Sequence, residues 1–338
     1  MRLTDDVVTL AHGAGGKASR RLVEELFVPE LANPLLAPLA DAALVETSGL
    51  RLAFTTDSYV VRPRFFPGGD IGELAVNGTV NDLAVSGATP LALTAAFVLE
   101  EGLATDELRL IAHSVAEAAR RAGVVVAAGD TKVVERGMAD GLYICTAGIG
   151  VVPSGLELGP EHVRPGDRVI VSGTIADHGM AVLVARGELA LEADLRSDTA
   201  PLHELARDLV ALGSSLRFMR DPTRGGLATT LNELALASGL AVRIDERALP
   251  LRPEVAAACE ILGIDPLYVA NEGKLVAVVD AAAVDDALAA LRRHPLGADA
   301  ALIGTVVDEP EGLVLLETEL GGSRIVDMLV GDPLPRIC

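Results

Sequence analysis

The sequence predicts an α/β (α+β) chain of two units, and three observations carry that reading. Its 338 residues are too many for one ordinary core. Strand-like apolar runs alternate with helical stretches along most of it. Between residues 152 and 166 the chain carries three prolines, three glycines and few apolar clusters, which marks a linker. The expected organisation is therefore a unit at 1–152, a second at 167–327 and a tail at 328–338.

Each element has a local reason. "AHGAGGKASRRL" places Gly13, Gly15 and Gly16 before a helix starting near Ala18. "RLAFTTDSYVV" (51–61) is rich in β-branched and aromatic residues and reads as a strand. After the glycine-rich "FFPGGDIGE", a helix is expected from about Ile71 to Val85. In "TDELRLIAHSVAEAARRAG", Thr105 is the expected cap, Leu108, Ile111 and Val115 keep helical spacing, and Gly123 ends the run. "VVVAAGDTKVV" and "GLYICTAGIGVV" read as strands. The second unit opens with "DRVIVSG", has a helix after "DPTRGG", strands near "LAVRID", "KLVAVVD" and "ALIGTVVD", and a helix around 282–293.

Charge and cysteine content exclude several functions. A net charge of −20 argues against nucleic-acid and anionic-membrane partners, which need a basic face. Asp5 and Asp6 stand where an export signal wants bases, and the longest uncharged run, Leu83 to Leu99, is interrupted by Ser86, Gly87, Thr89 and Pro90. A cytoplasmic location is expected. The three cysteines show no CxxC spacing, so neither a disulfide framework nor a zinc site is expected. Cys145 and Cys259 sit in apolar runs and read as small buried hydrophobes, whereas Cys338 is the last residue. Of 28 basic residues three are lysines, Lys17, Lys132 and Lys274, each in a glycine-bearing loop where a compact ammonium can meet a phosphate.

Neither GxxxxGK[ST] nor GxGxxG occurs. Instead Asp57, Asp82, Asp130 and Asp221 stand at turns or in apolar elements, where a carboxylate is costly unless it meets a cation or hydrogen-bond donors. Together they suit magnesium with a triphosphate; singly, each also suits a turn or helix cap. Asn77 and Asn81 share one helical face beside Asp82, and the mid-helix Gly78 allows a close approach. The loops at 13–16 and at Arg224–Gly226 leave backbone N–H groups free for an anion. Glu272, in the turn "ANEGK", is either a solvated loop residue or a general base.

These segments, with "TTDSYVVRPRFFPGGDIGELAVNGTVNDLAVSG", "SGTIADHGMAVL" and the terminal "GDPLPRIC", resemble the hydrogenase-maturation carbamoyl dehydratases, the HypE family. That family belongs with aminoimidazole ribonucleotide synthetase, selenophosphate synthetase and thiamine-monophosphate kinase. The resemblance implies ATP-dependent dehydration of a carboxamide on Cys338 to a thiocyanate, which supplies the cyanide ligand of [NiFe]-hydrogenase. It implies Mg²⁺ on Asp57, Asp82, Asp130 and Asp221, and ATP against His12, Gly13, Gly15, Gly16, Asp57, Asn77, Asn81, Asp82, Asp130 and Arg224. Lys132 would neutralise charge near the transferred phosphoryl, and Glu272 would take a proton. The implied fold pairs two N-terminal halves into a dimeric β-barrel, with a flexible tail on each chain. The implied partners are a second copy, the carbamoyltransferase HypF and the HypC–HypD iron scaffold. A sibling kinase or synthetase, and a non-enzymatic scaffold that uses nucleotide only to open or close, are the rival readings.

Overall fold

The computed structural model describes residues 7–187 and 194–331. The first unit is an open five-stranded sheet in the order β1-β2-β7-β5-β6. These strands are β1 (Ala43–Thr47), β2 (Leu50–Tyr59), β5 (Thr89–Glu100), β6 (Val125–Val134) and β7 (Leu142–Val152). The short pair β3 (Phe65–Phe66) and β4 (Gly69–Asp70) lies apart. Burial alternates along the central strand β7: Leu142, Ile144 and Thr146 turn inward while Tyr143 and Cys145 turn outward. Two short helices, α1 (Lys17–Leu22) and α2 (Val28–Leu31), precede the sheet; its inward face packs on helix α3 (Ile71–Val85), which is backed in turn by α4 (Thr105–Arg121). Gly148 permits this contact, because a Cβ there would lie 2.8 Å from Thr79 Cγ2. The outward face has no such cover: Phe54, Leu91 and Val125 are each about half exposed or more, and β6 is exposed along nearly its whole length.

Helix α3 buries 13 of its 15 residues, so it is a core helix rather than an amphipathic surface one. Asp70 caps it, accepting from the N–H groups of Gly72 and Glu73 at 2.8 and 3.1 Å. Helix α4 differs from the sequence expectation by one position. Thr105 is its first helical residue, Ala104 takes the cap position without a side-chain bond, and the acidic Asp106 and Glu107 face the free N–H groups of the first turn.

The second unit is a seven-stranded mixed sheet in the order β14-β13-β10-β12-β8-β11-β9. Its strands are β8 (Arg168–Val171), β9 (Leu216–Arg220), β10 (Ala241–Asp245), β11 (Val276–Val279), β12 (Ala301–Val307), β13 (Val314–Glu317) and β14 (Ser323–Val326). Val169, Val171, Val276 and Val278 face one core with α7 (Gly226–Ser238). Ile170, Ala277 and Val279 face another with α6 (His203–Val210) and α9 (Val284–Arg292). Burial on both faces explains why "KLVAVVD" reads as a continuous apolar run.

The two units share a core. Tyr59, Ile71, Leu74 and Ile144 pack with Met180 and Val182 of α5 (Asp177–Ala185) and Ala258 and Cys259 of α8 (Pro253–Leu262). A polar clamp reinforces the seam: Asn81 Nδ2 donates to the carbonyls of Ala200 and Glu272 at 3.1 and 3.2 Å, and its Oδ1 accepts from Leu202 N–H at 2.8 Å. No described helix is long and apolar enough to cross a membrane.

Gly78 shows why α3 tolerates a residue that costs helix stability. A Cβ there would lie 1.9 Å from the Tyr59 hydroxyl, so it is a side chain that approaches this glycine. Gly78→Ala is therefore expected to lower the melting temperature despite alanine's helix-propensity advantage of about 1 kcal/mol. Adding Tyr59→Phe should recover part of the loss in the same thermal melts.

Candidate active site at the domain seam

Three elements of the first unit and one of the second bring carboxylates together. Asp41 precedes β1, Asp57 lies in β2, Asp82 lies in α3 and Asp221 follows β9. One carboxylate oxygen from each of Asp41, Asp82 and Asp221 falls within a 4.8 Å cluster. Thr55 Oγ1 donates to Asp82 Oδ2 at 2.7 Å, and Thr79 Oγ1 donates to Asp57 Oδ2 at 3.0 Å. On the other side Arg220 bridges Asp41 Oδ1 at 3.1 Å and Glu233 Oε2 at 2.9 Å. A cavity of about 840 Å³ opens beside them, with Asp41, Arg220, Gly15 and Gly16 in its wall.

Burial raises every carboxyl in the cluster, and neighbouring carboxylates add to it at Asp41, Asp82 and Asp221. Burial pushes Asp221 up to about 8, the charge on Asp41 adds to it, and Arg220 opposes it. Asp82 is raised well above the carboxylate range by burial and then by the charges of Asp57, Asp221 and Asp41. Burial also raises Asp57, against the Thr79 hydrogen bond and the positive charge of Arg224, and it raises Asp41 against Arg220. Burial works against the charge on Arg220, yet Asp41 and Glu233 hold it firmly protonated. A site of oxygen donors that retains protons for lack of positive charge is chemically suited to a hard divalent cation such as Mg²⁺.

The two glycine-rich loops meet beside the cluster. A Cβ on Gly15, whose φ is +78°, would lie 2.6 Å from Arg224 Cβ, and Arg224 Nη1 donates to Gly13 O at 3.4 Å. His12 is buried, with Thr9 N–H donating to its Nδ1 at 3.0 Å. The root of the tail docks on the same loop: Lys17 N–H donates to Leu329 O at 2.7 Å, and a Cβ on Gly16 would lie 2.2 Å from that oxygen. Gly331 lies against Ala11, so the chain leaves the described fold next to this loop. Cys338, seven residues further on, lies outside the described residues.

The expected site residues do not all converge within one chain. Asp57, Asp82 and Asp221 come together, and Arg224 is near enough to act on Asp57. Asn77 and Asn81 are buried at the seam; Asn77 Nδ2 donates to Thr199 Oγ1 at 3.1 Å, and Asn81 forms the clamp. Glu272 is buried, 3% exposed, and its carbonyl is one of the groups the clamp holds. Asp130 stands elsewhere. Its cross-strand row runs through Ala96 and Cys145 to Ser58, whereas the row of Asp57 runs through Thr146 and Ala95 to Gly129. Neighbouring rows point to opposite faces, so Asp130 and Lys132 project from the uncovered side of the sheet. Three strand spacings separate Asp130 from β2, roughly 14 Å. Of the other two lysines, Lys17 pairs with Asp327 at 2.5 Å and Lys274 with Asp198 at 3.2 Å.

Sequence reasoning missed Asp41, Arg220 and Glu233. Asp41 bore a usable signal, an aspartate inside the apolar stretch "LAPLADAALV", but no glycine turn marked it. Arg220 and Glu233 gain meaning only from the carboxylates that folding sets beside them.

Comparison with known proteins agrees with this architecture. The N-terminal domain of AIR synthase related proteins matches residues 39–152, and the C-terminal domain matches 164–316. The carbamoyl dehydratase HypE of Rhodobacter capsulatus is 55% identical over the full length of both chains. The chain belongs to the HypE family. A HypE solved in complex with ATP is 46% identical, with a TM-score of 0.82 over 98% of this chain and all of that one. A solved HypE–HypF complex contains a chain 48% identical, with a TM-score of 0.87 over 91% of this chain and 99% of that one.

The raised carboxyls make stability depend on pH. Asp221 titrates near 8 in the folded chain and near 3.8 when unfolded, so between those values the folded state binds more protons. Stability is then lost as pH rises through that window. Asp221→Asn, which stays neutral, is expected to gain in melting temperature relative to the wild type as pH is raised from 4 to 9, in metal-free buffer.

Proposed function

We propose that this HypE-family chain uses Mg-ATP to dehydrate a carboxamide carried on Cys338 to a protein thiocyanate, the cyanide source for a [NiFe]-hydrogenase iron site. The single observation that supports it best is the docking of the tail root on the glycine loop beside the acid cluster. Seven residues from Gly331 span at most about 24 Å when extended, enough for a thiol to travel between solvent and a pocket at the root of its own tether. Tethering also raises the carboxamide's local concentration to about millimolar.

The amide oxygen is a poor leaving group as hydroxide. Its attack on the γ-phosphorus expels ADP and gives an O-phosphorylated carbamoyl group with loss of one N–H proton. Removal of the second N–H proton then forms C≡N, breaks the C–O bond and releases phosphate. Glu272 is assigned as the base, set in a dry turn that keeps competing water away. Asp41, Asp57, Asp82 and Asp221 would hold Mg²⁺, which supplies the positive charge the triphosphate needs. The loop from His12 to Gly16 and Arg224 would offer N–H donors to phosphate oxygens.

Asp130 and Lys132 enter this reading through a second copy. They project from the uncovered apolar face of the first sheet, on its exposed edge strand β6, and pairing that face with its like would form the barrel of a homodimer. Each chain would then lend Asp130 and Lys132 to its partner's phosphates. HypF would load the carbamoyl group, and HypC–HypD would receive the cyanide.

Mass spectrometry of the intact chain after incubation with carbamoyl phosphate, ATP and the carbamoyltransferase tests the chemistry. The expected result is a carbamoyl adduct on Cys338, then ATP-dependent loss of one water, both abolished in Cys338→Ala with ATP binding retained. Loss of ATP binding together with the adduct would contradict a carrier role. For the shared site, mixing inactive Asp82→Asn with inactive Asp130→Asn chains is expected to restore part of the activity in mixed dimers, and no recovery would refute the exchange.

A further inference from the structure

Three backbone polar groups of the turn that carries Glu272 are held by side chains. Glu272 N–H donates to Asp198 Oδ1 at 3.1 Å, and Glu272 O accepts from Asn81 Nδ2 at 3.2 Å. Gly273 O accepts from Lys274 Nζ at 3.3 Å. The same ammonium lies 3.2 Å from Asp198 Oδ2, an ion-pair distance whose angle falls short of a hydrogen bond. Both side chains are less than a tenth exposed. Glycine is required at 273, because a Cβ there would fall 1.7 Å from Asp198 O. Asp198 is itself anchored through its neighbours: Ser197 N–H donates to Pro67 O of the first unit at 2.8 Å, Ser197 Oγ pairs with Nδ1 of the buried His178 at 2.8 Å, and Thr199 Oγ1 accepts from Asn77 Nδ2 at 3.1 Å.

A buried ion pair is a poor source of stability, since desolvation offsets most of its attraction, but it fixes geometry. This pair joins both ends of the Glu272–Gly273 segment, Glu272 N–H and the Gly273 carbonyl, through one carboxylate and one ammonium. We infer that Asp198 and Lys274 are positioning residues for dehydration, fixing the turn so that the Glu272 carboxylate meets the carboxamide N–H; this rests on the assignment of Glu272 as the base. Lys274 accordingly serves the turn and not a phosphate.

The test uses full-length chain carbamoylated on Cys338 by the carbamoyltransferase, with single-turnover loss of water followed by mass spectrometry after Mg-ATP is added. Asp198→Ala is expected to slow that step about a hundredfold, the scale at which a displaced catalytic group loses rate, with carbamoyl loading and ATP affinity unchanged. Asp198→Asn keeps the size and one acceptor for Glu272 N–H, so it is expected to show a smaller loss, and it replaces the alanine variant if that one does not fold. Combined with Glu272→Gln, either substitution should add no further slowing, because both act through the same carboxylate. If Asp198→Ala or Asp198→Asn slows Glu272→Gln by the same factor as it slows the wild type, the positioning role is refuted while the base assignment stands. A Glu272→Gln chain as fast as the wild type would instead overturn the base assignment, and the inference with it.

Discussion

Withdrawal of four neighbouring carboxyls, Asp41, Asp57, Asp82 and Asp221, from water, compounded by repulsion among them, is the constraint around which the seam is organised. Carboxylates this close, and partly withdrawn from water, resist ionising together in the isolated chain. Arg220 offsets part of the charge, and its second partner Glu233 absorbs part of that offset. The cluster is therefore short of positive charge, which suits it chemically to a cation.

Helix α3 makes this tolerable. Because it is buried almost all round, it can place Asp82 against the cluster while Asn81, one residue earlier, binds the second unit. The acid group and the clamp thus share one rigid element. The same clamp reaches the Glu272 carbonyl, so the residue assigned to proton removal is tied to the helix that carries part of the acid cluster. Rigid placement of this kind is what a reaction with little covalent chemistry of its own demands of a protein.

The sequence alone made much of this visible, for identifiable reasons. Helix α3 and strands β2, β7 and β11 have strong local patterns, and their placement matched the expectation. Aspartates in apolar surroundings were recognisable as costly, and Asp57, Asp82 and Asp221 do converge. Arg220 and Glu233 were not recognisable, because an arginine or glutamate in a strand or helix reads as a solvated residue until its counter-ion is known. The lysines misled in part. Rarity drew attention to Lys17 and Lys274, but both compensate carboxylates, Asp327 and Asp198, that lie far away in sequence or across the seam. The outward direction of Asp130 and Lys132 depends on strand register, which residue type alone does not encode.

Proton release reports directly on how many protons the four carboxyls hold. Titration calorimetry of Mg-ATP into the full-length chain, at pH 7 in buffers of different ionisation enthalpy, counts the protons displaced on binding. Net release is expected, because an incoming cation would take the place of protons held by the clustered carboxyls, with less release at pH 9 where Asp221 has already ionised. Binding with no proton release at pH 7 would contradict it, for it would mean that the carboxylates were charged all along and that their crowding imposes nothing.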